Sequence, residues 1–423
     1  MSSANINAKN NIRNSVRCAL MFAAVLLSVS CKTADRNNRL PACARPDLSE
    51  LIFPAESRSF DTLAHKLQTM QKSGKGNVNV WHIGGSHVQK DHFPNRMMHN
   101  FTTRFMCGDR AFLFPRALGN TNVDSTYTIS TTGEWFCPRM TLPSDRTKPD
   151  YGITGFAAIT TSADASVGFN LNPDGKKRRI FSSVRVLGYA SSDKVYPYIQ
   201  NADNTVQKAV YDDATCSFVF NLDAATDTLL IRFNIPTGEN FVLNGLQPIS
   251  GRVGVNYYTS GVNGAAVTSW TNECVNFERD FNNLINPDLV IFGLGINDSA
   301  VPKEDFSIEK FKANYRRLID MILKKNPDCA LLFHTNNDSF RYVKGGMEYN
   351  RNAESVRQAM LELAAEYNGA VWDLYGVMGA ENSVYQWEQA GLILPDRLHF
   401  TKDGYELIAD MMFEALIKDL KNR

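Results

Sequence analysis

Several common signals are missing from this 423-residue sequence, and each absence removes a class of function. There is no basic excess: 45 Lys and Arg stand against 44 Asp and Glu, a formal net charge of +1. Nucleic-acid proteins carry a basic surplus or stripe, so no nucleic-acid partner is expected. None of the eight cysteines stands in a CxxC pair, which argues against zinc. No internal repeat or low-complexity tract is visible. Apolar residues make up 43% and charged residues 21%, as in an ordinary globular protein. A chain of this length has room for two domains.

The longest apolar run lies at the start. Lys9, Arg13 and Arg17 precede "CALMFAAVLLSVSC", which is too short to span a bilayer but suits the core of an export signal. "LLSVSC" resembles a bacterial lipoprotein cleavage site that would leave Cys31 lipidated; a plain signal peptide is the alternative. Polar "KTADRNNRLPACARP" follows like a tether. The expectation is a signal over 1–31, a tether over 32–50, and a cell-envelope protein held to the membrane through Cys31. Cys43, Cys107, Cys137, Cys216, Cys274 and Cys329 remain. Cys107 with Cys137 is the candidate disulfide, and free buried thiols are the other reading.

Further along, "NVNVWHIGG" alternates and then ends in glycines, as a strand entering a loop does. Helical spacing follows over Gln89–Phe105, with Pro94 limiting where the helix begins. The second half has a steady rhythm. "PDLVIFGLG", "CALLFHT" and "AVWDL" read as strands, the first buried on both faces. Ile308–Lys325, Ala353–Tyr367 and Thr401–Leu420 read as helices, the first with Phe311, Tyr315, Leu318, Ile319 and Ile322 on one face. Strands alternating with helices imply an α/β domain with a parallel sheet covered on both sides. Between about 122 and 251 the grammar changes to short β-like runs and turn signals. That predicts an all-β sandwich or jelly roll inserted into an α/β domain formed by 51–121 and 252–423.

Ser86 follows Gly84 and Gly85 where a strand would give way to a helix. The carboxyl edge of a parallel sheet is where such folds bind ligands, and a helix start offers free N–H groups to an oxyanion. A bland turn is the competing explanation. Asp396 and His399 stand three apart just before the last helix. At that spacing a carboxylate can hold one imidazole nitrogen and leave the other facing a nucleophile; a cap and a packed histidine are the alternatives. Asn297 lies just past a predicted strand, where its amide could meet an oxyanion. Gly264 would let a backbone N–H approach the same oxygen. Both also fit simple turns.

Taken together the four blocks resemble the SGNH hydrolases, or GDSL-type esterases. Ser86 stands in "IGGSHVQ", Gly264 in "GVNGAAV", Asn297 in "GLGIND" and His399 in "DRLHFT", with Asp396 completing the set. The resemblance covers about 51–119 and 253–423. The β insertion before the second block looks like the peptidoglycan O-acetylesterase branch, whose insert resembles a carbohydrate-binding module. The resemblance implies Ser86 as nucleophile, His399 as base then acid, and Asp396 as its orienting partner. It also implies an oxyanion hole from the N–H groups of Ser86 and Gly264 and the Asn297 amide, with an acylated glycan as substrate and no metal or organic cofactor. Acyl transfer to a sugar hydroxyl and glycan binding without catalysis are the rival functions.

One departure stands out. The family's usual Gly-Asp-Ser has glycine at position 85 here, which removes a loop-organising carboxylate beside the nucleophile. Of the other nearby residues, His87 is expected to line the site or support the loop, and His82 and His92 to pack. His334 is expected near the pocket or in a structural role, and Lys90 and Asp91 in solvent.

Overall fold

The computed structural model describes residues 39–110, 112–141, 149–176, 179–201, 203–274 and 276–423. The predicted signal, its tether up to residue 38, and Cys31 lie outside them.

The central sheet has seven strands. In spatial order they are Leu51–Ile52, Ala370–Trp372, Ala330–His334, Leu289–Gly293, Asn77–Gly84, Gly254–Gly261 and Cys107–Arg110. Only the first pairing is antiparallel. The inner strands are largely apolar because they feed two cores. Val78, Val80, Leu289, Ile291, Leu332 and Trp372 meet the helices Arg58–Ser73, His92–Arg104 and Lys402–Asn422 on one face. Trp81, Ile83, Val290, Phe292 and Phe333 meet Ile308–Lys325 and Ala353–Glu366 on the other. The alternation of "NVNVWHIGG" therefore separates two buried faces, not an inside from an outside.

The strands from Thr128–Thr132 to Phe241–Ile249 form two separate five-stranded antiparallel sheets. Their facing sides enclose an apolar core that includes Phe169, Phe181, Phe220, Ile231, Phe233 and Phe241. This is the all-β insert expected from the change of pattern, and its flanks rejoin the central sheet at Cys107–Arg110 and Gly254–Gly261.

Two expectations need correction. All six cysteines from Cys43 onward are free. Cys107 is exposed on an edge strand, while Cys137 sits against the Gly119 backbone, so Cys107 and Cys137 form no disulfide. The helix expected over Gln89–Phe105 is shorter, His92–Arg104, and a separate four-residue helix, Ser86–Gln89, precedes it. Asp91 breaks them by adopting a left-handed conformation at φ 64°.

Candidate active site

Ser86 opens a four-residue helix straight after the strand Asn77–Gly84, with Gly85 as its cap. As the first helical residue, its own N–H has no acceptor inside the helix and is free for a ligand. Ser86 Oγ lies 2.9 Å from His399 Nε2. His399 Nδ1 lies 2.7 Å from Asp396 Oδ2. The other Asp396 oxygen accepts the backbone N–H groups of Leu398 and His399, each at 3.0 Å. Burial pushes the Asp396 carboxyl up, but the His399 ring and those two N–H donors outweigh it and hold its pKa at about 2. The carboxylate is thus charged and fixed, and the imidazole is held with Nε2 toward the hydroxyl. This chain of hydrogen bonds can take a proton from Ser86 as its oxygen attacks an acyl carbon.

Asn297 faces the same turn. Its Nδ2 donates to the Ala265 carbonyl at 3.0 Å, and an amide has a second N–H to offer. A Cβ placed on Gly85 would lie 2.9 Å from that nitrogen and 3.2 Å from the Ala265 oxygen. Glycine at 85 is therefore the room in which the Asn297 amide sits, and a carboxylate there would displace it. Gly264 adopts a left-handed φ of 81° in the same loop, one residue before Ala265. Glycine reaches that conformation without strain.

Asp298 holds these two loops together, a role not apparent in the sequence, where Asn-Asp reads as a turn pair. Its carboxylate accepts the Val267 N–H at 3.0 and 3.3 Å. Burial raises its pKa to about 6 against the pull of that hydrogen bond. With Gly at 85, this neighbouring carboxylate does the loop-organising.

The nucleophile turn is braced from below as well. Arg116 donates to the Gln89 carbonyl at 2.8 Å and pairs with the Asp91 carboxylate. Asp91 is accordingly buried, contrary to the solvated position expected of it, and Lys90 is only half-exposed. The Gln89 side chain bonds to Thr121 and to the Asn263 N–H. His87 points away from Ser86: its Nδ1 lies 2.7 Å from the Tyr405 hydroxyl, and its ring packs against that of His399 at 5.4 Å. His82 is buried with Nδ1 3.0 Å from the Tyr257 hydroxyl. His334 is buried with Nδ1 2.9 Å from the Thr335 carbonyl. Burial lowers the pKa of all three and keeps them neutral. His92 is less enclosed than the packing role expected of it, and borders a cavity beside Lys90. Among the described residues no cluster of three or more His, Cys, Asp or Glu could hold a metal.

Residues 236–407 match the model of the GDSL-like lipase/acylhydrolase family; that stretch contains Gly264, Asn297, Asp396 and His399, while Ser86 precedes it. No curated protein sequence matches the chain. A solved structure of a peptidoglycan O-acetylesterase aligns over 88% of this chain and 99% of its own, with a TM-score of 0.69 at 18% identity. A solved acetyl xylan esterase aligns over 38% of this chain and 81% of its own, at TM-score 0.30 and 21% identity. A GDSL-like lipase from Bacteroides thetaiotaomicron aligns over 38% and 76%, at TM-score 0.29 and 17% identity. Fold and family match together define a serine ester hydrolase. The chain is thus similar to the SGNH/GDSL-type hydrolases, in sequence over residues 236–407 and in fold over most of its length.

Proposed function

We propose that the protein is an exported esterase that removes acetyl, or a similarly small acyl group, from a glycan, with O-acetylated peptidoglycan as the first candidate. The observation that carries this reading is the unbroken chain Asp396–His399–Ser86, at 2.7 and 2.9 Å, at the carboxyl edge of the central sheet. The substrate class is supported by the fold shared with a peptidoglycan O-acetylesterase along nearly its whole length, β insert included. The insert carries a groove of about 900 Å³ whose walls include Ser130, Asn170, Gln200, Asn201 and Gln207. Such hydroxyls and amides suit a glycan chain, and we assign the insert to carbohydrate binding. The predicted signal and Cys31 would hold the enzyme at the envelope, where that substrate lies.

The reaction runs in two halves. Ser86 Oγ attacks the ester carbonyl as His399 Nε2 takes its proton. The resulting oxyanion is held by the N–H groups of Ser86 and Gly264 and by the free N–H of Asn297. The C–O bond to the sugar then breaks, His399 returns the proton to the leaving alcohol, and the acyl group stays on Ser86. Water, activated by the same imidazole, releases the carboxylic acid and restores the serine. The imidazole acts as base in its neutral form, with the Asp396 carboxylate holding it in place.

The test is acetate release from O-acetylated peptidoglycan by the protein and by Ser86→Ala. Release confined to the wild type supports the assignment. Release that survives in Ser86→Ala refutes the serine mechanism, and no release from folded wild type refutes the substrate.

A further inference from the structure

Next to the nucleophile lies a cavity that the acyl-transfer steps leave unused. It has a volume of about 520 Å³, and its walls include Lys90, His92, Asn120, Thr121, Asn122 and Asn263. The chain itself ties this cavity to the reacting centre. The Lys90 N–H donates to the Ser86 carbonyl at 2.9 Å, so Lys90 stands one helical turn beyond the nucleophile, on the same side. Asn263 directly precedes Gly264, and its amide donates to Thr121 Oγ1 at 3.0 Å. One wall therefore continues the nucleophile turn and another continues the proposed oxyanion loop.

The lining has no carboxylate. Lys90 makes no side-chain hydrogen bond or ion pair among the described residues. The charged groups that share its surroundings are engaged elsewhere. Asp396 holds His399, Asp91 pairs with the buried Arg116, and Glu406 lies 3.8 Å from Lys402. The Lys90 charge is felt at Asp396, His87 and His92, so it lies on the triad's side of the cavity. Partial burial pulls its pKa down, and the attraction of Asp396, which is committed to His399, offsets only part of that. A hydrocarbon chain placed here would strand that charge further. An anionic group would complete it with a charge-assisted hydrogen bond.

We propose that this cavity is a subsite for a carboxylate on the sugar whose ester Ser86 attacks, and that Lys90 selects for it. The proposal rests on the esterase reading above and narrows its substrate to acidic sugars. The carboxylate can stand on a lactyl ether, as in muramic acid units that carry no stem peptide, or on the ring itself, as in a uronic acid.

The experiment compares kcat/KM for 6-O-acetyl N-acetylmuramic acid with that for its carboxyl methyl ester, in wild type, Lys90→Met and Lys90→Arg. Acetylated galacturonan against acetylated xylan repeats the comparison for a ring carboxylate. We expect wild type to prefer at least one acid over its neutral counterpart by about tenfold or more, since hydrogen bonds to charged groups fall in that energy range. The preference should collapse toward one in Lys90→Met, survive in part in Lys90→Arg, and shrink in wild type as salt is raised. Which acid is preferred identifies the source of the carboxylate. Equal rates on acid and neutral partners in wild type, or a preference that persists in Lys90→Met, overturn the subsite and leave the esterase standing. Cleavage of a simple aryl acetate with no cleavage of any acetylated sugar overturns the glycan reading and the subsite with it.

Discussion

The two halves of this molecule stabilise themselves differently. Between the strands Thr128–Thr132 and Phe241–Ile249, no described Asp, Glu, Lys, Arg or His is fully buried; the buried polar residues there are neutral, such as Thr160, Ser166, Asn172 and Ser217. The central α/β domain buries His82, His87, Asp91, Asp288, His334, Asp338 and Asp373. Burying titratable groups is unfavourable unless each is neutralised or bonded. They gather largely near one end of the sheet, where Ser86 and Asn297 follow strands and His334 ends one. The insert is built for stability, and the α/β domain gives some of it up to hold a reactive site.

That contrast can be broken by substitution, beginning with the largest effect. Asp396→Asn leaves the geometry in place but disturbs the imidazole's orientation and charge, so kcat should fall about 10⁴-fold with little change in Tm; esterase assay beside thermal melting checks both. Phe241→Ala does the reverse. Phe241 is fully buried against Phe233 and Phe218, and its loss should remove about 3–5 kcal/mol of stability. In denaturant titration its midpoint should drop, while kcat on a small soluble ester below that midpoint stays near wild type. A large drop in kcat would mean that the insert core reaches the chemistry.

Asn297→Ala sharpens the comparison inside the site. It should cost about 2.7–4 kcal/mol of transition-state stabilisation, read mainly in kcat. The smallest effect concerns Asp298, whose pKa is raised to about 6 in the folded protein from 3.8. A carboxyl that folding keeps protonated favours the native state below about pH 4, and the contribution is lost as pH rises through about 6. The difference amounts to about 2–3 kcal/mol. Asp298→Asn should flatten that part of the stability–pH curve, measured by urea denaturation at several pH values.

The architecture was legible wherever burial imposed a period. The helix expected at Ile308–Lys325 has those bounds, and its five named apolar residues are all buried. The meeting of Ser86 with His399 was legible because each stands at an element boundary whose direction the αβ alternation sets. The supports were not. Asp298 holds Val267 across 31 residues and Asp91 holds Arg116 across 25. Nothing local distinguishes either aspartate from a turn residue or a solvated one. The sequence offered free thiols beside a Cys107–Cys137 disulfide and could not choose, since pairing depends on where two distant loops are carried.

Arg116 and Thr121 stand just before the insert and Asn263 shortly after it, and all three grip the turn that carries Ser86. The stem of the β domain is thus also the collar of the nucleophile. Grafting a different module at this point, by design or by recombination, would have to bring its own collar. The insert and the chemistry are mechanically one unit, and Ala158, Leu187 and Val242 of the insert pack into the same core as Trp81 and Phe292 of the central sheet.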